Sequence, residues 1–219
     1  MRHENIERIS SIKINKSNNY FLIYYYLIRD IENALKSNAT GRLLDIGCGN
    51  KPYSIFLNEN IEHIGCDITQ SSENKVDIIC TATSILAENN SFDTVLCTQV
   101  LEHVEETDKM LSECFRVLKP GGKIILTCPM YWPLHEEPYD FFRFTKYGIK
   151  HIFEKAGFGD LNIKENGGKY SVLGIVLLQT LPFLPKFIKY LSNSLFLYLD
   201  KKFYNTKNTT NYIVVATKP

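Results

Sequence analysis

The chain has 219 residues, 44% hydrophobic and 22% charged, the balance of a globular domain and not of a disordered tail or a fibre. Twenty-five Lys and Arg face 24 Asp and Glu, a formal net charge of +1, so no overall positive field draws in nucleic acid and none is expected as a partner. The apolar run 170–185 is 16 residues long, short of the ~20 that span a bilayer, which argues against a polytopic membrane protein.

The opening, MRHENIERISSIKINKS, is polar throughout, so a secretory leader is not expected. Tyr20 to Lys36 carries apolar residues at helical spacing and predicts a helix, which Thr40-Gly41 breaks. Arg42 to Ile46 (RLLDI) is a short apolar run ending in glycines, as a buried strand before a turn reads. Pro52 to Asn58 is expected as a helix opened by its proline. Glu62 to Cys66, Val76 to Cys80 and Phe92 to Cys97 predict strands two to four. Thr107 to Leu118 predicts a helix capped by Thr107 or Asp108 and stopped by Pro120-Gly121-Gly122. Lys123 to Thr127 is strand five. Thr145 to Ala156 is a helix with Thr145 as its cap and Gly157 as its stop. Leu161 to Lys164 and Tyr212 to Ala216 are the last strands. Strands alternating with helices predict an α/β protein whose mostly parallel, doubly wound sheet is covered on both faces.

Six cysteines are present and none lies in a CxxC pair, so a zinc ribbon is not expected. They read as reduced thiols of a cytoplasmic protein. Cys48, Cys66, Cys80, Cys97 and Cys128 fall at or just past the ends of successive strands, where small buried residues belong. Residues 182–219 hold six Lys and one Asp, a net of +5, which leaves −4 for the rest. That basic, aromatic, apolar segment, 170–204, suits peripheral contact with the inner face of a membrane, a grip on an anionic lipid-linked substrate, or a helical hairpin packed on the sheet or forming a homodimer. The residues leave these three open.

The stretch from Leu43 to Asn50 (LLDIGCGN) is the most informative. Glycines directly after a buried strand allow a tight turn and close approach of a ligand to the backbone. Asp67 follows Gly47 by 20 residues at the end of the next strand, where a carboxylate accepts hydrogen bonds from ribose hydroxyls. A dinucleotide site asks for a third glycine, and Pro52 stands in its place. Asp45, just before the turn, suits a ligand with positive charge.

LLDIGCGNKPY resembles the first motif of class I S-adenosylmethionine-dependent methyltransferases of the methyltransferase-11 type. Further stretches agree in order: GCDIT (65–69), SFDTVLCTQVLEHVEE (91–106), RVLKPGGKIILTCP (116–129) and EKAGF (154–158). The resemblance implies a Rossmann-like, seven-stranded sheet with one antiparallel edge strand. Length and patterning lead us to expect one domain over 1–219: an N-terminal helix at 20–40, a cofactor core at 41–168, an apolar helical insertion at 169–208 and a last strand at 211–217. The resemblance implies S-adenosylmethionine as cofactor and S-adenosylhomocysteine as product; no paired-carboxylate or His cluster in the sequence announces a metal, so none is expected. Asp45, Gly47, Cys48 and Gly49 would hold the methionine part, and Asp67 and Ile68 the ribose and adenine edge, with Gln99 on the same wall. Where related chains carry an acidic residue against adenine, this one has Thr81, followed by Ala82.

Hydroxyl acceptors benefit from a general base, often His. His103, in VLEHV after strand four, and His135, after strand five, are the candidates. His135 opens HEEPYDFFRFT, which resembles an H-x-x-P-x-D-x-x-R loop of a methyltransferase subset linked to polysaccharide assembly. Asp140 and Arg143 would brace that loop, and Tyr131, Trp132, Tyr139, Phe141 and Phe142 would form an aromatic lid over the sulfonium. The expected reaction is O-methylation of a sugar or small hydroxylated metabolite. Rival readings are a quinone or lipid methyltransferase at a membrane surface, a cofactor-binding protein without turnover, and a nicotinamide-dependent dehydrogenase, the last disfavoured by Pro52.

Overall fold

The computed structural model describes residues 14–219. Most of the polar opening read for a leader, residues 1–13, lies outside the described residues. Seven strands form one sheet: β1 (Arg42–Ile46), β2 (Glu62–Asp67), β3 (Ile78–Ile79), β4 (Phe92–Thr98), β5 (Leu118–Pro129), β6 (Gly159–Asn166) and β7 (Asn211–Thr217). Their order is β3-β2-β1-β4-β5-β7-β6. β1 to β5 pair in parallel, while β7 runs antiparallel to both neighbours, one place in from the edge. This is a doubly wound, Rossmann-like α/β sheet.

Side chains that alternate along each strand feed two cores, because successive Cβ atoms leave a strand on opposite faces. Leu44, Val95, Ile124, Leu126 and Val214 meet α2 (Thr107–Val117) and α3 (Lys146–Lys155) on one face. Leu43, Leu96, Ile125 and Ile213 meet α1 (Phe21–Asn38) on the other. Both faces being dry, the strands read as unbroken apolar runs.

Several boundaries differ from the sequence reading. Pro52–Phe56 is a single 3-10 turn and not a longer helix. Lys51 enters it in the left-handed region and Leu57 leaves extended. β3 narrows to Ile78–Ile79, because the Val76 N–H is taken by the Gln70 side chain and the chain turns at Thr81. α2 begins after Glu106, without a side-chain cap at that residue. It ends at Val117, and the Pro120-Gly121-Gly122 segment belongs to β5, where the pairing with β4 slips before Lys123. Gly121, at φ +79°, makes that irregularity possible.

Between β6 and β7 the chain forms a helical hairpin, α4 (Lys169–Thr180) and α5 (Lys186–Lys202). It packs on α1 through Leu22, Tyr26, Ile175, Phe196 and Leu197. Gly174 permits the close approach, since a Cβ there would stand 2.7 Å from both Leu22 and Phe196. Buried Asp200 on α5 ties down the start of α4, accepting from the N–H groups of Gly168 and Tyr170 at 2.8 and 3.1 Å and from the Ser171 hydroxyl. Asn166 Nδ2 donates to the Tyr26 carbonyl and to Asp30. No helix among the described residues is long and apolar enough to cross a membrane.

Candidate functional site

A cavity of about 750 Å³ opens at the carboxyl edge of the parallel strands, the place where open α/β sheets bind ligands. β1 delivers Asp45 and the turn that follows it. Gly47, at φ +69°, donates its N–H to the Cys66 carbonyl at 2.8 Å. A Cβ on Gly47 would stand 2.4 Å from Val100 Cγ2, so only glycine fits. Gly49 is also left-handed (φ +49°), but its missing Cβ would meet nothing within 4 Å. There the backbone itself faces open space.

β2 delivers Asp67. Its Oδ2 accepts from the Gly49 N–H at 3.1 Å and its Oδ1 from the Ile68 N–H at 2.7 Å. The carboxylate therefore shapes the glycine turn as well as the cavity wall. Lys51 braces the same turn from behind, donating to Asp77 at 2.6 Å and to the His63 carbonyl at 2.9 Å. Asp45 is buried, and burial pushes its carboxyl above the usual range; His63, whose Nε2 lies 3.0 Å away, works against that rise. A buried carboxylate at a ligand wall favours a positively charged guest.

β3 delivers Cys80, Thr81 and Ala82. The neighbouring Cys66 thiol lowers the Cys80 thiol to about 6, while Cys80 and burial raise that of Cys66. Thr81 is exposed, its hydroxyl 3.3 Å from that of Thr83. β4 delivers Gln99, at φ +54°, whose side chain donates to Thr127 at 3.1 Å, and then His103.

The far wall comes from the loop after β5: Glu136, Tyr139 and Phe141. His103 Nδ1 lies 2.7 Å from the Tyr139 carbonyl oxygen, so Nδ1 holds the proton and Nε2 turns toward carboxylates. That nitrogen is 3.8 Å from Glu102 Oε1 and 3.7 Å from Glu136 Oε1.

Of the residues singled out in the sequence, Asp45, Gly47, Cys48, Gly49, Asp67, Ile68, Thr81, Ala82, Gln99, His103, Tyr139 and Phe141 line this cavity. His135, Tyr131, Trp132, Asp140, Phe142 and Arg143 are absent from its lining. The aromatic lid is therefore smaller than the sequence suggested. Trp132 stacks instead on Tyr20 of the segment before α1, with ring centroids 5.2 Å apart, and Phe142 packs on Phe144 at 5.5 Å. Arg143 grips Asp140 with two 2.7 Å hydrogen bonds and the Trp132 carbonyl with a third at 3.1 Å. Burial works to raise the Asp140 carboxyl, but Arg143 and the His135 N–H outweigh it and hold it at about 2. His135 stands behind His103, with ring centroids 4.6 Å apart, and its Nδ1 is 3.2 Å from Asp140.

The sequence reading missed Glu102 and Glu136. Each is the neighbour of a candidate histidine in the chain, and the adjacent pairs Glu102-His103 and His135-Glu136 were the available signal. Only the folded loop brings the two pairs together.

Residues 44–126 match the family model described as a methyltransferase domain. Over 116 residues the chain is 31% identical to a ubiquinone biosynthesis O-methyltransferase of Xanthomonas oryzae pv. oryzae, covering 45% of this chain and 47% of that one. It thus spans about half the length of the curated relatives it matches. A phosphoethanolamine N-methyltransferase 2 of Haemonchus contortus, solved with S-adenosyl-L-methionine, superposes with a TM-score of 0.55 at 20% identity, over 87% of this chain and 52% of that one. A SAM-dependent methyltransferase of Archaeoglobus fulgidus gives 0.56 at 19% identity, over 89% and 100%. At these identities the two structures speak for the fold.

Proposed function

We propose that this chain is an S-adenosylmethionine-dependent methyltransferase that methylates a hydroxyl of a small acceptor. The observation that carries the reading is one cavity wall: buried Asp45, the glycine turn and Asp67 stand together at the carboxyl edge of the sheet, inside the stretch that matches a methyltransferase domain. A volume of about 750 Å³ suits a donor and a small acceptor side by side. The bound donor supplies a methyl group on a positively charged sulfur.

Each wall has its part. Asp45 favours the positive charge of the donor, and the open backbone at Gly49 admits its amino-acid end. Asp67 accepts from ribose hydroxyls with the lone pairs that Gly49 and Ile68 leave over. Ile68, Thr81 and Ala82 border the adenine, and Cys48 and Gln99 complete the donor side. Tyr139 and Phe141 shield the reacting centre from water. His103 lines the acceptor side with His135 behind it, and these two imidazoles are the groups the proposal assigns to the acceptor hydroxyl. Asp140 and Arg143 hold the loop that carries His135, with Tyr131 and Trp132 as its anchor on α1. The unit runs through the whole described chain, with 41–168 as donor core, 169–208 as insertion and 211–217 as closing strand.

The acceptor proposed is a sugar or small hydroxylated metabolite. HEEPYDFFRFT, with its Asp140–Arg143 brace, is the feature shared with the subset linked to polysaccharide assembly. A quinone or lipid acceptor is the second reading, favoured by the likeness to a ubiquinone biosynthesis O-methyltransferase and by the hairpin surface. Phe183 and Phe187 are 77% and 66% exposed there, with Leu191, Leu195 and Tyr198 also exposed and Lys186, Lys189, Lys201 and Lys202 among them. Apolar side chains interleaved with lysines suit the anionic, cytoplasmic face of a membrane.

Calorimetry tests the donor: S-adenosylhomocysteine is expected to bind and NAD to fail, and the reverse would sink the proposal. Transfer of a labelled methyl group to a panel of sugars and quinols then sorts the acceptors. Sedimentation with anionic against neutral vesicles tests the hairpin. Self-association in solution without vesicle binding would assign that face to a second copy.

A further inference from the structure

We propose a divalent metal site formed by Glu102, His103 and His135, at the acceptor end of the cavity. Each of the three offers a ligand atom, and these atoms all lie within 4.8 Å of one another. Two imidazoles and one carboxylate form a facial donor set that leaves positions open for a substrate. The sequence alone gave no reason to expect a metal, because the histidines are 32 residues apart.

Their orientation supports the assignment. A metal-bound histidine is usually fixed through its other nitrogen by a carbonyl or carboxylate. Both histidines here have that second partner. His103 Nδ1 meets the Tyr139 carbonyl at 2.7 Å, and His135 Nδ1 lies 3.3 Å from the Pro133 carbonyl oxygen, with Asp140 Oδ2 at 3.2 Å. Asp140 is itself clamped by Arg143. In each ring Nε2 is then the nitrogen for the metal. His103 Nε2 and Glu102 Oε1 are 3.8 Å apart. Closing by about 0.4 Å brings them to the roughly 3.4 Å that separates two tetrahedral ligands each about 2.1 Å from zinc. The Glu102 side chain is fully buried.

A mixed imidazole and carboxylate set selects a first-row ion such as Zn²⁺, Fe²⁺ or Mn²⁺ over Mg²⁺ or Ca²⁺. The site deepens the methyl-transfer reading and rests on it for its role. Of the three ligands His103 lines the cavity, with Glu136 beside it, and the proposal gives the open positions to that side. An acceptor with two adjacent oxygens, a vicinal diol or a hydroxy acid, can bind there. Coordination lowers the pKa of the hydroxyl. Its proton passes to the Glu136 carboxylate, and the resulting oxygen takes the methyl group while the donor sulfur keeps the electron pair of the broken bond.

The test uses the full chain, stripped with a chelator and titrated with Co²⁺ and separately with Mg²⁺. One equivalent of Co²⁺ is expected, with a visible d–d spectrum displaced by Zn²⁺, and Mg²⁺ is expected to bind far more weakly. His135→Ala and Glu102→Gln remove the spectrum, Asp140→Asn weakens binding about 10-fold as loss of an orienting partner does, and exposed His151→Ala changes nothing. Circular dichroism checks that each variant is folded; should Glu102→Gln fail that check, His135→Ala decides. A wild type without the spectrum, or spectra unchanged in His135→Ala, overturns the proposal. S-adenosylhomocysteine binding without a cobalt spectrum removes the metal and keeps the methyl-transfer reading. A cobalt spectrum without such binding keeps the metal site and removes the role given to it.

Discussion

Replacing Asp67 with alanine separates two jobs of one side chain. A carboxylate has about four acceptor positions. Two are used internally, by the Gly49 N–H at 3.1 Å and the Ile68 N–H at 2.7 Å. Two remain for ribose hydroxyls on the proposed donor. Hydrogen bonds to a charged group contribute roughly 1.5–3 kcal/mol each, so the variant loses at least about 3 kcal/mol of donor binding. At about 1.4 kcal/mol per factor of ten, affinity for S-adenosylhomocysteine falls about 100-fold or more. The internal bonds give a second, smaller effect: the glycine turn loosens and Tm drops by a few degrees, since about 1 kcal/mol moves Tm by 2–4 °C in a chain of this size. Asp67→Asn keeps one acceptor oxygen and loses the charge, so its binding is expected between wild type and alanine. Calorimetry gives the affinities and thermal unfolding gives the stabilities. A folded Asp67→Ala protein that binds with wild-type affinity refutes the ribose assignment.

Gly47→Ala is expected to cost more than Gly49→Ala, because its Cβ would strike Val100 at 2.4 Å while that of Gly49 meets nothing within 4 Å. Both pay about 1–2 kcal/mol for a left-handed alanine, so urea titrations giving equal losses would contradict the packing argument. Cys80, lowered to about 6 and lining the cavity, should alkylate fastest of the six thiols near neutral pH, with S-adenosylhomocysteine slowing the reaction; Cys114, raised by burial to about 12, should stay unlabelled. The Arg116 guanidinium beside Glu113, with the Ile85 N–H, holds its carboxyl below the usual range. Its stabilising effect is full above the unfolded value of about 4.3 and fades as pH falls through the lower folded value, so Glu113→Gln should be less stable than wild type at pH 7 and approach it in acid. Asp200→Ala strands the N–H groups of Gly168 and Tyr170 and should cost about 3 kcal/mol or more, read as a lower urea midpoint.

The order of strands and helices, the glycine turn and the Asp45, Gly47, Gly49 and Asp67 wall were legible in the chain itself. These features are local. An apolar run followed by glycine announces a buried strand and its turn, and the spacing to Asp67 spans one strand, turn and strand again. Short elements were less legible, because β3 and the 3-10 turn after Lys51 depend on which backbone groups Gln70, Gly65 and Cys48 take. How the two candidate histidines come together was decided by the tertiary structure. His103 and His135 stand 32 positions apart, and composition treats them as two separate residues. Their rings meet because the loop after β5 folds back over the end of β4, where the N–H groups of Phe141 and Phe142 donate to the Glu102 carbonyl at 2.9 and 3.3 Å. The same fold-back turns Trp132 away from the cavity and onto the aromatic residues around the start of α1. Spacing along a chain encodes neighbours within a turn or a strand pair, whereas contacts between loops follow from how the whole sheet is closed and covered.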